Sequence, residues 1–347
     1  MATDIAASGY GADESGLICG YVFNAGSGTE LIDSAGAVSR LASLRAAARE
    51  SPDVPAGGHA FIWLHFNLAH IAAERWLARH AGLSETFFET LREGLHSTRI
   101  ERAEASLIAV INDVHFDFSF EPSDISTLWI SVDKHLVVTA RQQPLRSIDQ
   151  LRTAVKHGVH MRSTVELLER LMRAQADVLV GIVRGVTRRI DEIEDELLAG
   201  RLDAKRARLG VLRRLLVRLQ RLLAPEPAAL FRLLQHPPDW VAELDVRELH
   251  QSTEEFSVVL RDMSALQERI KLLQEEIAAG VNEDNNRSLF VLTVVTVLAL
   301  PINILAGLFG MNVGGIPLAQ HEHGFWIVVG IVLSFTLIAG WVAFRKK

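Results

Sequence analysis

SLFVLTVVTVLALPINILAGLFG, residues 288–310, contains no Asp, Glu, Lys, Arg or His. FWIVVGIVLSFTLIAGWVAF, residues 325–344, contains none either. Each run is about twenty residues long, the length a helix needs to cross roughly 30 Å of hydrocarbon. A helix buried in a soluble core is the other reading of such a run. Core helices are usually shorter and amphipathic, however, and two such runs in tandem point to a membrane. Two C-terminal transmembrane helices are therefore expected. Arg287 precedes the first run, Arg345, Lys346 and Lys347 follow the second, and the loop over residues 311–324 has no Lys or Arg. The positive-inside rule then places both termini in the cytoplasm and the loop outside.

Upstream of these runs the chain reads as soluble. Hydrophobic residues make up 49% of the 347-residue sequence, which excludes a disordered chain. The formal net charge is −6, and after Arg287 the only charged residues are Glu322, Arg345, Lys346 and Lys347. The preceding part is thus more acidic than the whole. An acidic domain is a poor nucleic-acid binder. Its charge either collects cations or simply keeps it soluble. Cys19 is the single cysteine, so neither an internal disulfide nor a Cys-rich zinc module is expected. The sequence beginning Met-Ala-Thr-Asp shows no basic and apolar signal segment, so the large domain is expected to stay in the cytoplasm. Neither an H-E-x-x-H motif nor a phosphate-binding Gly loop is present, which argues against an enzyme and a prosthetic cofactor.

The fold class expected is an α+β membrane protein. Residues 1–146 form an α/β cytoplasmic domain, with strands at 17–23, 60–67, 106–112, 127–132 and 136–141 and helices at 38–50, 71–80 and 84–94. Ser84 is the expected N-cap of the last of these helices. Asp133 and Lys134 suit a hairpin turn. Residues 147–241 read as a helical region, broken at Gly200 and containing a short helix over 228–235. Residues 242–310 contain no proline before Pro301, so a single stalk helix is expected to run about 90 Å and continue into the first span. The external loop is 311–324, and the second span with its basic tail is 325–347.

On a 3.6-residue helical wheel the first span is two-faced. Glu275, Asn282, Asn286, Leu289, Thr293, Thr296, Leu300, Asn303 and Gly307 fall in one sector roughly 100° wide. Polar residues within a span face protein or water. A Thr/Asn/Gly stripe suits a water-filled path, and it equally suits a helix–helix interface. If it conducts, several copies must surround an axis, because two spans cannot enclose a pore. No ionisable ligand lies in either span, so the oxygens of such a path suit a hard or still-hydrated cation. The second span carries only Ser334 and Thr336 among apolar residues and reads as lipid-facing.

Gly310-Met311-Asn312 closes the first span. This tripeptide, the short external loop, the basic tail, the long preceding helix and the α/β domain together resemble the CorA superfamily of divalent cation transporters. The resemblance covers essentially the whole chain. The continuation Val313-Gly314-Gly315-Ile316-Pro317 and the strand Ile62-Trp63-Leu64-His65 resemble its zinc-transporter, ZntB-type branch. The resemblance implies a homopentamer in the bacterial inner membrane, with Zn2+ as the transported ion and coupling to protons. It implies that the first spans line the pore and that Asn312 forms an external ring receiving the hydrated ion. It also implies that Asn303 occupies a deeper pore-facing polar position and that Leu289, Leu292 and Leu300 form hydrophobic constrictions. An Asn at position 303 departs from the Thr more usual there.

Two further readings concern metal outside the spans. His321, Glu322 and His323 could capture Zn2+ before entry, or form an exposed polar loop tip. Glu275 would form an acidic cytoplasmic ring on oligomerisation, or remain a solvated charge beside Lys271. The alternatives to zinc transport are a Mg2+ or Co2+ channel of the same superfamily and a membrane-anchored scaffold whose long helix is only a stalk.

Overall fold

The computed structural model describes residues 11–24, 28–50, 60–94, 98–121, 123–199, 205–311, 315, 317–318 and 321–345. It divides into two compact units, Met1–Leu272 and Leu273–Lys347.

The first unit is built on a seven-stranded sheet. Its strands are β1 (Leu17–Asn24), β2 (Gly28–Ile32), β3 (Phe61–Asn67), β4 (Arg99–Ala103), β5 (Ser106–Val114), β6 (Ile125–Val132) and β7 (Leu136–Arg141). They lie in the order β2-β1-β3-β7-β6-β5-β4. β3 and β7 pair in parallel, and the other neighbours pair antiparallel. β3 is buried at every position. This strand therefore shows no inside–outside alternation, because helices cover both faces of it. On one face pack α1 (Ser34–Glu50), α2 (Ala73–Trp76, continued by a π turn Leu77–Ala81) and α3 (Glu85–Glu93). On the other pack α4 (Arg146–Lys156), α5 (Thr164–Leu198) and α7 (Pro225–Gln235), with α6 (Lys205–Leu223) between α5 and α7 in sequence.

Several local expectations are refined. β2 (GTELI) and β4 (RIERA) were not anticipated. They are short edge strands in which polar residues predominate and most side chains are exposed or half-buried, so they carry little apolar signal. The helical region after residue 147 breaks at residues 157–163 as well. Gly158, at φ +91°, adopts a left-handed conformation just past the end of α4. Gly200, the break expected, lies outside the described residues. α7 begins at Pro225 rather than residue 228, since proline is tolerated in a first helical turn. Ser84 does occupy the N-cap of α3, but its side chain makes no capping bond. Asp133 closes the β6–β7 hairpin by accepting from the His135 and Leu136 N–H groups at 2.7 and 2.8 Å.

α8 (Glu243–Phe309) is one continuous helix of 67 residues with Pro301 inside it. Pro301 offers no N–H to the Val297 carbonyl, so the helix continues with one bond missing. The second unit comprises the later part of α8 and α9 (Gly324–Arg345). Both helices are long and apolar enough to cross a membrane. Their large side chains, among them Leu289, Val295, Ile304, Phe325, Leu333 and Trp341, are exposed. A core helix of a soluble protein would bury them. Exposure over this length favours lipid as their surroundings.

Candidate functional site

The two faces of α8 within the span have different neighbours. Ile302, Leu305, Ala306 and Phe309 line a cleft of about 840 Å3 against Val328, Val329, Val332 and Leu333 of α9. These α8 residues lie roughly 160° around the helix from the centre of the polar sector. Leu289, Thr293, Thr296, Leu300, Asn303 and Gly307 are all exposed. The chain's second span therefore covers the apolar side of the first and leaves the polar side open. Leu292, at the margin of the sector, is 63% exposed.

The chemistry of the open face is set by the helix itself. The Thr293 hydroxyl donates to the Leu289 carbonyl and the Thr296 hydroxyl to the Leu292 carbonyl, both at 2.8 Å. Their protons are thus committed to the backbone, while oxygen lone pairs remain free to accept from water or approach a cation. Asn303 adds an amide one to two turns further on. Glu275 is exposed on α8, as is Lys271 one turn before it.

The end of the span is a tight turn. The Gly310 N–H donates to the Ala306 carbonyl at 2.9 Å and the Met311 N–H to the Leu308 carbonyl at 3.4 Å. Met311 is exposed. Asn312 lies outside the described residues, as do Val313, Gly314 and Ile316. In the loop, the His323 N–H donates to His321 Nδ1 at 3.3 Å, and the two rings lie 6.3 Å apart and nearly perpendicular. His321 and Glu322 also border the cleft against α9. Among the described residues, no group of three or more His, Cys, Asp or Glu side chains converges on a position for a metal ion. His321, Glu322 and His323 are thus neighbours in sequence that do not form a three-ligand site.

In the sequence His65 stands out only as part of the strand that carries the family resemblance; in the fold it is buried, with a hydrogen-bond partner at each ring nitrogen. Other polar groups not singled out from the sequence are buried at the carboxyl ends of β5 and β7. These include Arg141, Asp113 and Ser147, with Glu226 of α7. Ser147 donates to Asp113 Oδ2 through its N–H at 3.0 Å and its hydroxyl at 2.5 Å. Burial pushes the Asp113 carboxyl up to about 6 against these bonds. A polar residue at the end of an apolar strand was the available signal.

An α/β unit, a long helix whose later part is apolar and exposed, and a second exposed apolar helix, with one polar face left open, fit a membrane transport protein. The described family "CorA-like Mg2+ transporter protein" matches residues 58–346, and the chain belongs to it. It is a divalent cation transporter rather than an enzyme, and the cation is its cargo. Among relatives, it is 28% identical to the divalent cation transporter CmaX of Pseudomonas aeruginosa, over 96% of this chain and 97% of that protein. It is 24% identical to the zinc transport protein ZntB of Yersinia enterocolitica, over 85% of this chain and 90% of that one. The full-length CmaX structure superimposes with a TM-score of 0.75, covering 96% of this chain and 98% of that one at 28% identity. The CorA magnesium transporter of Methanocaldococcus jannaschii superimposes with a TM-score of 0.74, covering 94% and 98% at 19% identity. This last likeness concerns the fold alone.

Proposed function

We propose that the chain assembles as a homopentamer in the bacterial inner membrane and carries Zn2+ along the polar faces of its five α8 helices, coupled to the proton gradient. The observation that carries this reading is the division of labour on α8. Its Thr/Asn/Gly face is open in the protomer while α9 takes the opposite side. A polar face in hydrocarbon needs water or protein against it. Further copies around an axis supply both.

In this reading residues 1–146 and 147–241 are the α/β and helical parts of a cytoplasmic domain, and 242–310 are stalk and pore. Residues 311–324 are the external loop, and 325–347 are a lipid-facing span with a cytoplasmic tail. Asn312 receives the hydrated ion, Asn303, Thr296 and Thr293 pass it, and Leu289, Leu292 and Leu300 constrict the path. Glu275 forms an acidic ring that raises the local cation concentration at the cytoplasmic end. His321, Glu322 and His323 attract cations to the mouth by exposure and charge rather than as a closed cage.

Zinc is supported by the Val-Gly-Gly-Ile-Pro continuation and by relatives named zinc transport proteins. The second reading, a Mg2+ or Co2+ channel, is favoured by the family description, which names Mg2+. Uptake of isotopic zinc and magnesium into proteoliposomes, with and without an imposed pH gradient, tests the proposal on wild type and Asn312→Ala. Zinc uptake that responds to the gradient and falls in the variant is expected. Magnesium flux without zinc flux would overturn the zinc assignment. Flux indifferent to the gradient would remove the proton coupling, and no metal movement at all would favour a scaffold.

A further inference from the structure

Glu226, in the first turn of α7, is fully buried. Its Oε2 accepts from Gln175 Nε2 of α5 at 3.3 Å. The same Nε2 donates to the Asn112 carbonyl of β5 at 2.7 Å. Gln175 has therefore used both amide protons. The other oxygen of each side chain, Glu226 Oε1 and Gln175 Oε1, is buried without a hydrogen-bond partner among the described residues. Two buried acceptors without a donor are costly if both side chains are proton-free, because neither oxygen can satisfy the other.

The surroundings offer an ionised Glu226 little compensation. The helix start would ordinarily favour negative charge. Here Pro225 and Pro227 remove two of its first N–H groups. On β5 the facing titratable group is Asp113, another buried carboxyl. The neighbouring cations are engaged elsewhere or turned to solvent. On β4, Arg99 pairs with Glu101 at 2.9 Å, and Arg102 reaches the Glu104 carbonyl. On α5, Arg173 pairs with Glu169 at 2.5 Å. On α4, Arg152 pairs with Asp149 at 3.0 Å. Arg221 of α6 and Arg232 of α7 are exposed.

We infer that Glu226 is a buried proton-binding site. As a neutral acid it donates from Oε1 to Gln175 Oε1 while accepting from Gln175 Nε2, and this reciprocal pair holds the start of α7 on α5 and β5. Loss of the proton to water leaves a carboxylate facing a carbonyl oxygen and Asp113, and the joint opens. Burial pushes the Glu226 carboxyl up to about 8, the Gln175 bond opposes this, and the Asp113 charge adds to it. A carboxyl raised in the folded state stabilises fully below its unfolded value of about 4.5, and that contribution is lost as pH rises through the folded value. The window is thus pH 4.5 to about 8. Since α8 begins only a short segment after α7, the joint makes the root of that helix responsive to pH, the internal pH under the proposed topology. The inference stands independently of which ion is carried.

The test uses the full chain in detergent micelles, as wild type and as Glu226→Gln, whose amide keeps both bonds without a proton to lose. The stability of Glu226→Gln relative to wild type, from denaturant melts, should rise between pH 5 and 8 and level off above. Hydrogen exchange in α7 should become several-fold faster in wild type than in the variant above pH 8. An infrared difference spectrum, wild type minus variant, should show a protonated carboxyl stretch at pH 6 that vanishes by pH 9.5. Parallel pH profiles for the two proteins, or a Glu226 already ionised at pH 6, would overturn the inference. If the variant does not fold, the infrared spectrum of wild type carrying labelled glutamate, read against Gln175→Leu, decides it by the same criterion.

Discussion

Arg141 Nε donates to His65 Nε2 across 3.0 Å, and both side chains are buried. Arginine can only donate, so Nε2 is the acceptor nitrogen and the imidazole proton sits on Nδ1. From there it reaches Thr139 Oγ1 at 2.8 Å, which also accepts from Trp63 Nε1 at 2.9 Å. One chain of bonds thereby ties the parallel pair β3 and β7 together. Burial first, and then the charges of Arg141 and Arg152, hold His65 well below the usual imidazole range. The unfolded chain takes up a proton near pH 6.5 and the folded chain does not. Stability from this group is present above that pH and lost as pH falls. Nitrogen-15 spectra should show His65 neutral and protonated on Nδ1 at pH 6. His65→Ala should cost about 3 kcal/mol in denaturant melts, because it removes the buried hydrogen bond from Arg141 Nε to His65 Nε2.

The start of α5 is capped reciprocally. Ser163 Oγ accepts from the Glu166 N–H at 3.0 Å, and Glu166 Oε2 accepts from the Arg162 N–H at 2.8 Å. Ser163→Ala should therefore lose roughly 1 kcal/mol of stability. Burial by itself raises the Glu166 carboxyl, but the bonds from the Arg162 N–H and from the Arg170 and Arg162 side chains bring it below the ordinary carboxylate value. Its contribution is present above about pH 4.5 and lost as pH falls further. Denaturant melts between pH 3 and 6 should show a shallower acid dependence for Glu166→Gln than for wild type.

Gly185 of α5 leaves room for a ring. A Cβ there would stand 2.7 Å from the Phe120 ring. Phe120 itself sits at φ +68° with the Arg189 guanidinium 3.5 Å from its ring centre. The aromatic packing holds a backbone conformation that a bulky residue ordinarily avoids. Gly185→Ala should destabilise the chain by about 1–3 kcal/mol through overpacking. In the Phe120→Ala background the same change should cost much less, and a double-mutant cycle on thermal melts checks this non-additivity.

Under the proposed function, the oxygens of the open α8 face determine flux. Thr296→Val keeps the shape and removes one oxygen. It should lower divalent cation uptake into proteoliposomes by about tenfold, the effect of a ~1.4 kcal/mol rise in barrier. Ser334→Ala on α9 should leave uptake unchanged. Equal loss in both variants would point to helix packing rather than an ion path.

Much of the second unit was legible in one dimension. Uncharged runs of span length at 288–310 and 325–344 match the apolar parts of α8 and α9, and the proline-free stretch from residue 242 matches a helix that begins at Glu243. The edge strands β2 and β4 were not legible, since an edge strand exposes polar residues and leaves no apolar period to read. The interruption before α5 was also hidden, because Gly158 and Ser163 sit within a stretch otherwise rich in helix formers.

The sequence by itself determined that this chain enters a membrane twice and that its first span has a polar face. Both properties follow from the spacing of residues along a single helix, where local geometry is known in advance. Only the tertiary structure decided which face α9 covers. It also decided that His65 meets Arg141 and that Gln175 meets Glu226. These pairs are separated by 76 and 51 positions in the chain. Their contact depends on sheet order and helix docking, and those are set by the collective burial of apolar surface rather than by any local pattern.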